Sequence, residues 1–423
     1  MNLPRRPGMH KTGLALLFLL FTVLFGLRLH HDLVRVDDAF FIDLRNRITG
    51  TRLLKMDTTP YFFKWNMSYP ITLYDPFDRC HIKNNMTTAP PSLLLLMEPL
   101  APLSFTDFCK WWIVLHYLAF LIMTLAILYC FRGPPAPYLV LIAASLLLLS
   151  DPWRDTVYKG QSHFIFAALV ACIFLVASRR NQYRFLYAGL ITALLLWLRP
   201  NALLLVPFVL VCRNMNRKQF IMGLGSGLLS LGMLTLALGH QQYWFEFYET
   251  CRLWLQHSAN ETPMPMCHFT HTVEGKTFKR GPTTLYWQSE TTDLFRLIRN
   301  QLHINIKAVH LSLIFILTYV STLVISYKRT VLSFTGALLT GILLYWFSEM
   351  TSPILRTTYY YVEMFAVVLF LAANTGRMPV AGKLLLLASF TLLFFSSFPM
   401  NLMFSEWCII GCAIIMLSRK HSL

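Results

Sequence analysis

Adjacent acids, Asp37 and Asp38, stand about ten residues past the first long apolar run of the chain. A carboxylate that close to a membrane surface loses part of its hydration, which raises its pKa and suits it to take a proton from a hydroxyl. One of the two can equally cap the helix that follows, because Asp accepts hydrogen bonds from the free N–H groups of a first turn. Three cations, Lys159, Arg199 and Arg356, stand in widely separated segments, each at the end of an apolar run. Ionisable groups are costly beside hydrocarbon and are retained where they bind or react. An arginine fork can hold a phosphate by two parallel hydrogen bonds. Snorkelling toward lipid headgroups is the ordinary alternative. It weighs most for Lys159 and least for Arg199, which is wedged between two apolar runs with Pro200 behind it.

These residues need elements to hold them, and the totals say which. The chain has 423 residues, of which 56% are hydrophobic and only 13% charged, with mean hydropathy +0.52. A soluble domain carries about twice that share of charge. Twelve spans can be drawn from the apolar runs, over 11–28, 110–131, 137–150, 162–178, 185–198, 200–212, 220–239, 304–326, 331–349, 357–373, 382–398 and 402–418. The pair divided by Arg199-Pro200 could also be one kinked or re-entrant element. The reading is an all-α polytopic membrane protein.

With the N-terminus in the cytoplasm and the spans alternating, the cytoplasmic segments hold 16 basic residues and no acidic one, so they account for +16 of the formal +17. This is the positive-inside pattern. A charge excess parcelled among short segments is not the continuous stripe a nucleic acid needs, so no nucleic-acid partner is expected. Residues 1–28 read as an uncleaved signal anchor: Arg5, Arg6 and Lys11 precede an apolar run, and no small-x-small cleavage site follows. The remaining divisions are a first outer loop (29–109), spans two to seven (110–239), a second outer loop (240–303) and spans eight to twelve (304–423). The glycosylation patterns at Asn66, Asn85 and Asn260 all fall on the expected outer side. The nine cysteines form no CxxC pair and no metal-like spacing, so no metal is expected; a Cys251–Cys267 bridge stays open.

The first outer loop opens with a segment that reads as an amphipathic helix from Asp38 to Gly50. Phe40, Phe41, Leu44 and Ile48 share one side, and Asp43, Arg45, Asn46 and Arg47 take the other. Such a helix suits the membrane interface. A second interfacial helix is expected to start at Pro90-Pro91, because the Leu93–Leu96 run is too short to span.

Taken in order, these segments resemble glycosyltransferase family 87. The matching features are an acid opening the first-loop helix (Asp38), a Pro90-Pro91-Ser92-Leu93 run leading to Glu98-Pro99-Leu100, Gly160-Gln161 before the fourth span, a basic turn at Arg199-Pro200, and Ser352-Pro353 before an aromatic stretch. Relatives often carry a Trp and two His after the Ser-Pro pair; this chain has Arg356, Thr357, Thr358 and Tyr359 there. The resemblance implies a GT-C-type fold and an inverting hexosyl transfer, mannose first among sugars, from a polyprenyl-phosphate donor to a glycan or glycolipid acceptor outside the cytoplasm. It implies Asp38 as base, with Asp37 as its substitute, and a donor phosphate held by Arg199, Arg356, Lys159 and Gln161. Tyr61, Tyr158, Glu349 and Tyr359 would line the sugar and acceptor. No cofactor is implied beyond the lipid-linked donor, and the bilayer itself is the constant partner. A bacterial inner membrane, with both termini cytoplasmic, follows from the resemblance; the endoplasmic reticulum is the alternative that the sequons suit. Two rival readings are a transporter or flippase, which would carry internal repeats and charges near mid-span, and an inactive relative.

Overall fold

The computed structural model describes residues 7–38, 41–61, 63, 68–73, 87–131, 135–212, 215–259, 270–273, 276–279, 294–328, 333–354, 356–394 and 400–418. The helices, in chain order, are α1 (Pro7–Val34), α2 (Ile42–Lys55), α3 (Pro91–Met97), α4 (Phe105–Cys130), α5 (Ala136–Leu149), α6 (Asp151–Lys159), α7 (His163–Ser178), α8 (Arg184–Leu198) and α9 (Val206–Val211). They continue with α10 (Arg217–Ala237), α11 (Gln241–Ser258), α12 (Leu294–Arg296), α13 (Ala308–Lys328), α14 (Phe334–Thr351), α15 (Phe365–Ala373), α16 (Val380–Phe394) and α17 (Asn401–Ser418). Tighter 3-10 turns at Pro200–Leu205 and Thr358–Met364 lead into α9 and α15. A two-stranded antiparallel hairpin, β1 (Thr270–Val273) with β2 (Lys276–Lys279), is the only sheet among the described residues.

Each apolar run of the sequence falls on a helix, yet few of these helices are full spans. By length and composition α1, α4, α10, α13 and α17 can each cross a membrane, and α5 with α6 makes a sixth crossing as a pair bent by 54°. Against the expected twelve crossings, five to six stand on these grounds among the described residues. The reason is geometric: at a rise of about 1.5 Å per residue, helices the length of α7, α8 and α16 fall short of a hydrocarbon layer of about 30 Å. Several of the short helices are core elements. Every residue of α15 is buried, and most of α7 is too. Several apolar helices of this kind make a multi-pass membrane protein.

Close packing of α8 against α10 uses glycine. A methyl on Gly223 of α10 would overlap the Leu186 carbonyl oxygen of α8, and one on Gly189 of α8 would overlap the Phe220 carbonyl oxygen of α10. Small residues let the two backbones approach in this way.

The first outer loop differs from its sequence reading in three respects. Val36–Asp38 form a separate 3-10 turn, and α2 begins only at Ile42, after Phe41 takes a left-handed conformation at φ 39°. Gly50 does not end α2, which runs on to Lys55; instead it lets α3 approach, with Leu94 and Thr87 side chains 3.3 Å from where a methyl would be. Nor does α2 turn a polar face to water: Phe41, Leu44 and Ile48 are buried as expected, but so are Arg45 and Arg47. Phe40 lies outside the described residues, as do Asn66, Asn85, Asn260 and Cys267. The helix expected at the prolines is α3, with Pro91 in its first turn.

Candidate active site

The link after α5 sets up the site. Here the chain makes a helix where a loop was expected: Ser150 is extended, Pro152 sits in the first turn, and α6 runs at 54° to α5. Gly160 ends it at φ 69°, the left-handed geometry that glycine adopts without strain. A methyl on Gly160 would also overlap Cβ of Leu44, so α2 rests directly on this turn. The Phe41 N–H donates to the Tyr158 carbonyl at 2.9 Å, which brings the segment after Asp38 against the same turn.

Arg47 of α2 clamps the turn from the other side. One terminal nitrogen donates to the Gly160 carbonyl and the other to Gln161 Oε1 at 2.7 Å, while Gln161 Nε2 donates to Asp43. Burial pulls the Arg47 pKa below its ordinary value, against the opposing pull of Asp43. Beside them Lys159 pairs with Asp155 at 2.9 Å and stands 5.4 Å from the Tyr359 ring centre. Asp155 also accepts from the Thr358 hydroxyl, which ties α6 to the turn before α15.

Arg199 ends α8 and meets a buried carboxylate. Its Nη2 is 2.5 Å from Glu363 Oε1 and its Nε donates to the Tyr345 hydroxyl at 3.1 Å. Glu363, fully buried, also receives the Tyr345 hydroxyl at 2.9 Å and a hydrogen bond with His163 Nδ1. Asn201, two residues on, donates to Glu349. Arg199 keeps 24% side-chain exposure. It borders a narrow apolar cleft walled by Leu93 of α3, Ile165, Phe166 and Leu169 of α7, and Leu195 and Leu198 of α8, with Ser162 also in the lining.

Arg356 belongs to a different arrangement. It makes a two-pronged pair with Glu406 of α17, at 2.9 and 3.1 Å, and both side chains are buried. It reaches the rest of the cluster through Tyr360, whose ring centre is 5.4 Å from its guanidinium and 6.0 Å from that of Arg199. Tyr359 and Tyr360 stack at 5.1 Å and both flank His163.

Of the residues singled out in the sequence, Lys159, Gln161, Arg199, Glu349, Arg356 and Tyr359 thus gather around one end of the helix bundle. Tyr61 and Tyr158 make other contacts. Tyr61 is buried with its hydroxyl on the Ala89 carbonyl at 2.8 Å, and Tyr158 reaches toward Asp32 at 3.3 Å. Asp37 is exposed and accepts from the Thr106 hydroxyl at 3.3 Å. The Asp38 backbone completes the Val36–Asp38 turn, but its side chain lies outside the described residues.

Sequence reasoning passed over Glu363, Glu406, His163, Tyr345 and Arg47. A signal for two of them existed. Glu363 and Glu406 are charges inside runs drawn as spans, and such charges mark sites or buried pairs. Both prove to be partners of the arginines that the sequence did single out. Arg47 was hidden by its position on the face read as water-facing.

Residues 88–287 match the model of glycosyltransferase family 87. The matched stretch contains α3, the Gly160-Gln161 turn and Arg199-Pro200, while Asp38 and Ser352-Pro353 lie outside it. No curated protein and no solved structure matches the chain. The matched family is one of glycosyltransferases, and the match covers somewhat less than half of the chain.

Proposed function

We propose that this membrane protein is a glycosyltransferase, a GT-C-type, inverting hexosyltransferase that moves a sugar, mannose first, from a polyprenyl-phosphate donor to a glycan or glycolipid on the extracytoplasmic face. The observation that carries this reading is the apolar cleft with an arginine at its polar end. A lipid tail suits the walls of Leu, Ile and Phe, and a phosphate suits Arg199, with Ser162 in the same lining. Lys159, Gln161 and Arg47 gather at the neighbouring Gly160 turn, and we assign sugar recognition to them together with their partners Asp43 and Asp155.

In this mechanism the acceptor hydroxyl attacks the anomeric carbon from the face opposite the phosphate. Asp38 takes the hydroxyl proton as the new C–O bond forms. The bond from the anomeric carbon to the phosphate oxygen breaks, and the polyprenyl phosphate leaves with the electron pair. Arg199 stabilises the charge that grows on the departing phosphate. Arg356, paired with Glu406, packs against the Tyr360 ring and serves the architecture of the site, and no cofactor takes part. Asp38 is assigned by its place in the first-loop motif, and its support is the contact of the following segment with Tyr158 and the Lys159–Gly160 turn. A positioned base contributes about two to four powers of ten in rate. We place the enzyme in a bacterial inner membrane from the family resemblance, and both termini in the cytoplasm from the distribution of its basic residues.

The test is release of polyprenyl phosphate by purified protein in lipid, supplied with polyprenyl-phosphate-mannose and other lipid sugars one at a time. Wild type and Asp37→Asn should turn over, whereas Asp38→Asn should lose about two or more powers of ten. Full turnover in Asp38→Asn would remove the base assignment. No release from any donor by a folded protein would move the reading to transport.

A further inference from the structure

We infer that Glu363 is a positioning residue that presets Arg199 for an anionic headgroup. The inference rests on the reading of the cleft as the donor site. It starts from a closed set of hydrogen bonds: Arg199 Nε donates to the Tyr345 hydroxyl at 3.1 Å, that hydroxyl donates to Glu363 Oε2 at 2.9 Å, and Arg199 Nη2 returns to Glu363 Oε1 at 2.5 Å. His163 Nδ1 engages Oε1 as well. The guanidinium is thereby fixed in plane by two groups from two elements, and its other terminal nitrogen, Nη1, has no hydrogen bond among the described residues. Arg199 is the cation that borders the cleft, so Nη1 is the donor left for a ligand there.

The molecule contains its own control. Arg356 and Glu406 are also a buried pair, but both are sealed, with side-chain exposures of 1% and 0%, whereas Arg199 keeps 24% against 0% for Glu363. A pair serving packing alone has no need to leave one partner about a quarter exposed at the edge of a cleft. An arginine that must meet a phosphate gains from being held before the ligand arrives, since the freezing of a long side chain is then already complete. The carboxylate does this without itself lining the cleft. Glu363 reaches it from the turn that also carries Tyr359 and Tyr360, which links the arginine to the polar side of the site.

The experiment measures binding of dodecyl phosphate to purified full-length protein in nanodiscs, for wild type, Arg199→Gln, Glu363→Gln and Tyr345→Phe, alongside thermal stability and donor KM and kcat. Glu363→Gln keeps the shape of the side chain and removes the charge. It should weaken dodecyl phosphate binding and raise donor KM on the order of tenfold, with acceptor KM unchanged. Tyr345→Phe keeps the ion pair and opens the ring of hydrogen bonds, so it should show a smaller loss in the same direction, and it carries the test should Glu363→Gln fail to fold. Loss of binding in Arg199→Gln, with wild-type binding in the folded Glu363→Gln and Tyr345→Phe proteins, would overturn the positioning role and leave the donor reading standing. Absence of binding by wild type would remove both.

Discussion

Replacing Arg356 by Met tests whether a cation at the site serves architecture or substrate. Its guanidinium faces the Glu406 carboxylate through two contacts of 2.9 and 3.1 Å, with both groups buried. Two unit charges about 4 Å apart attract by about 4 kcal/mol at an effective dielectric constant of about 20. That is comparable with the cost of taking both out of water, so the pair as a whole adds little to stability. Removing one member is different, because the Glu406 carboxylate would stay buried without its counter-charge. Arg356→Met should therefore destabilise the fold by about 3–5 kcal/mol. The double variant Arg356→Met with Glu406→Gln should recover most of this loss. Unfolding in mixed detergent micelles, followed by the intrinsic tryptophan signal, measures all four corners of the cycle. Donor affinity of the double variant should match wild type. The reasoning is refuted if Arg356→Met is as stable as wild type, or if the double variant is no better than the single one. A double variant that is stable yet cannot bind donor would make Arg356 a phosphate ligand.

Other expectations follow from geometry already described. Gly160→Ala should cost more than about 1 kcal/mol, since φ is 69° there, and Leu44→Ala should not rescue it, because the overlap is with Cβ of Leu44. Thermal unfolding of the two single variants and the double one checks this. Gly223→Leu should force α8 and α10 apart at the Leu186 carbonyl and destabilise by about 1–3 kcal/mol or more, read by the same method. Arg47→Lys should lower transferase turnover on the order of tenfold while leaving the protein folded, because one ammonium cannot span the Gly160 carbonyl and Gln161 together.

The helical framework was legible because apolar runs are long-range signals: each run drawn from composition lies on a helix. The number of crossings was not, because a run of about 15 apolar residues reads alike whether lipid or other helices surround it. In α15 it is other helices, and every residue is buried. The end of α2 was misread for a similar reason. Gly50 is a common helix stop, but here close approach of α3 requires it, and that approach comes from a partner about forty residues away. Lys159, Gln161, Arg199 and Tyr359 could be singled out from type and position, and the structure brings them to one end of the bundle. Glu363 could not be assigned its role, because the pairing with Arg199 spans 164 residues and nothing local marks it.

That span has a consequence for how the protein is made. Chains are synthesised from the N-terminus, and early segments fold as they emerge. Arg199 enters the membrane well before Glu363 and Arg356 well before Glu406, so each cation waits for its counter-charge until a later helix is delivered. The polar site is therefore among the last parts to be completed. A chain that stops before the Thr358–Met364 turn carries an unmatched Arg199 at the end of α8, and one that stops before α17 carries an unmatched Arg356. Membrane quality control has in these unmatched charges a direct mark of incomplete synthesis.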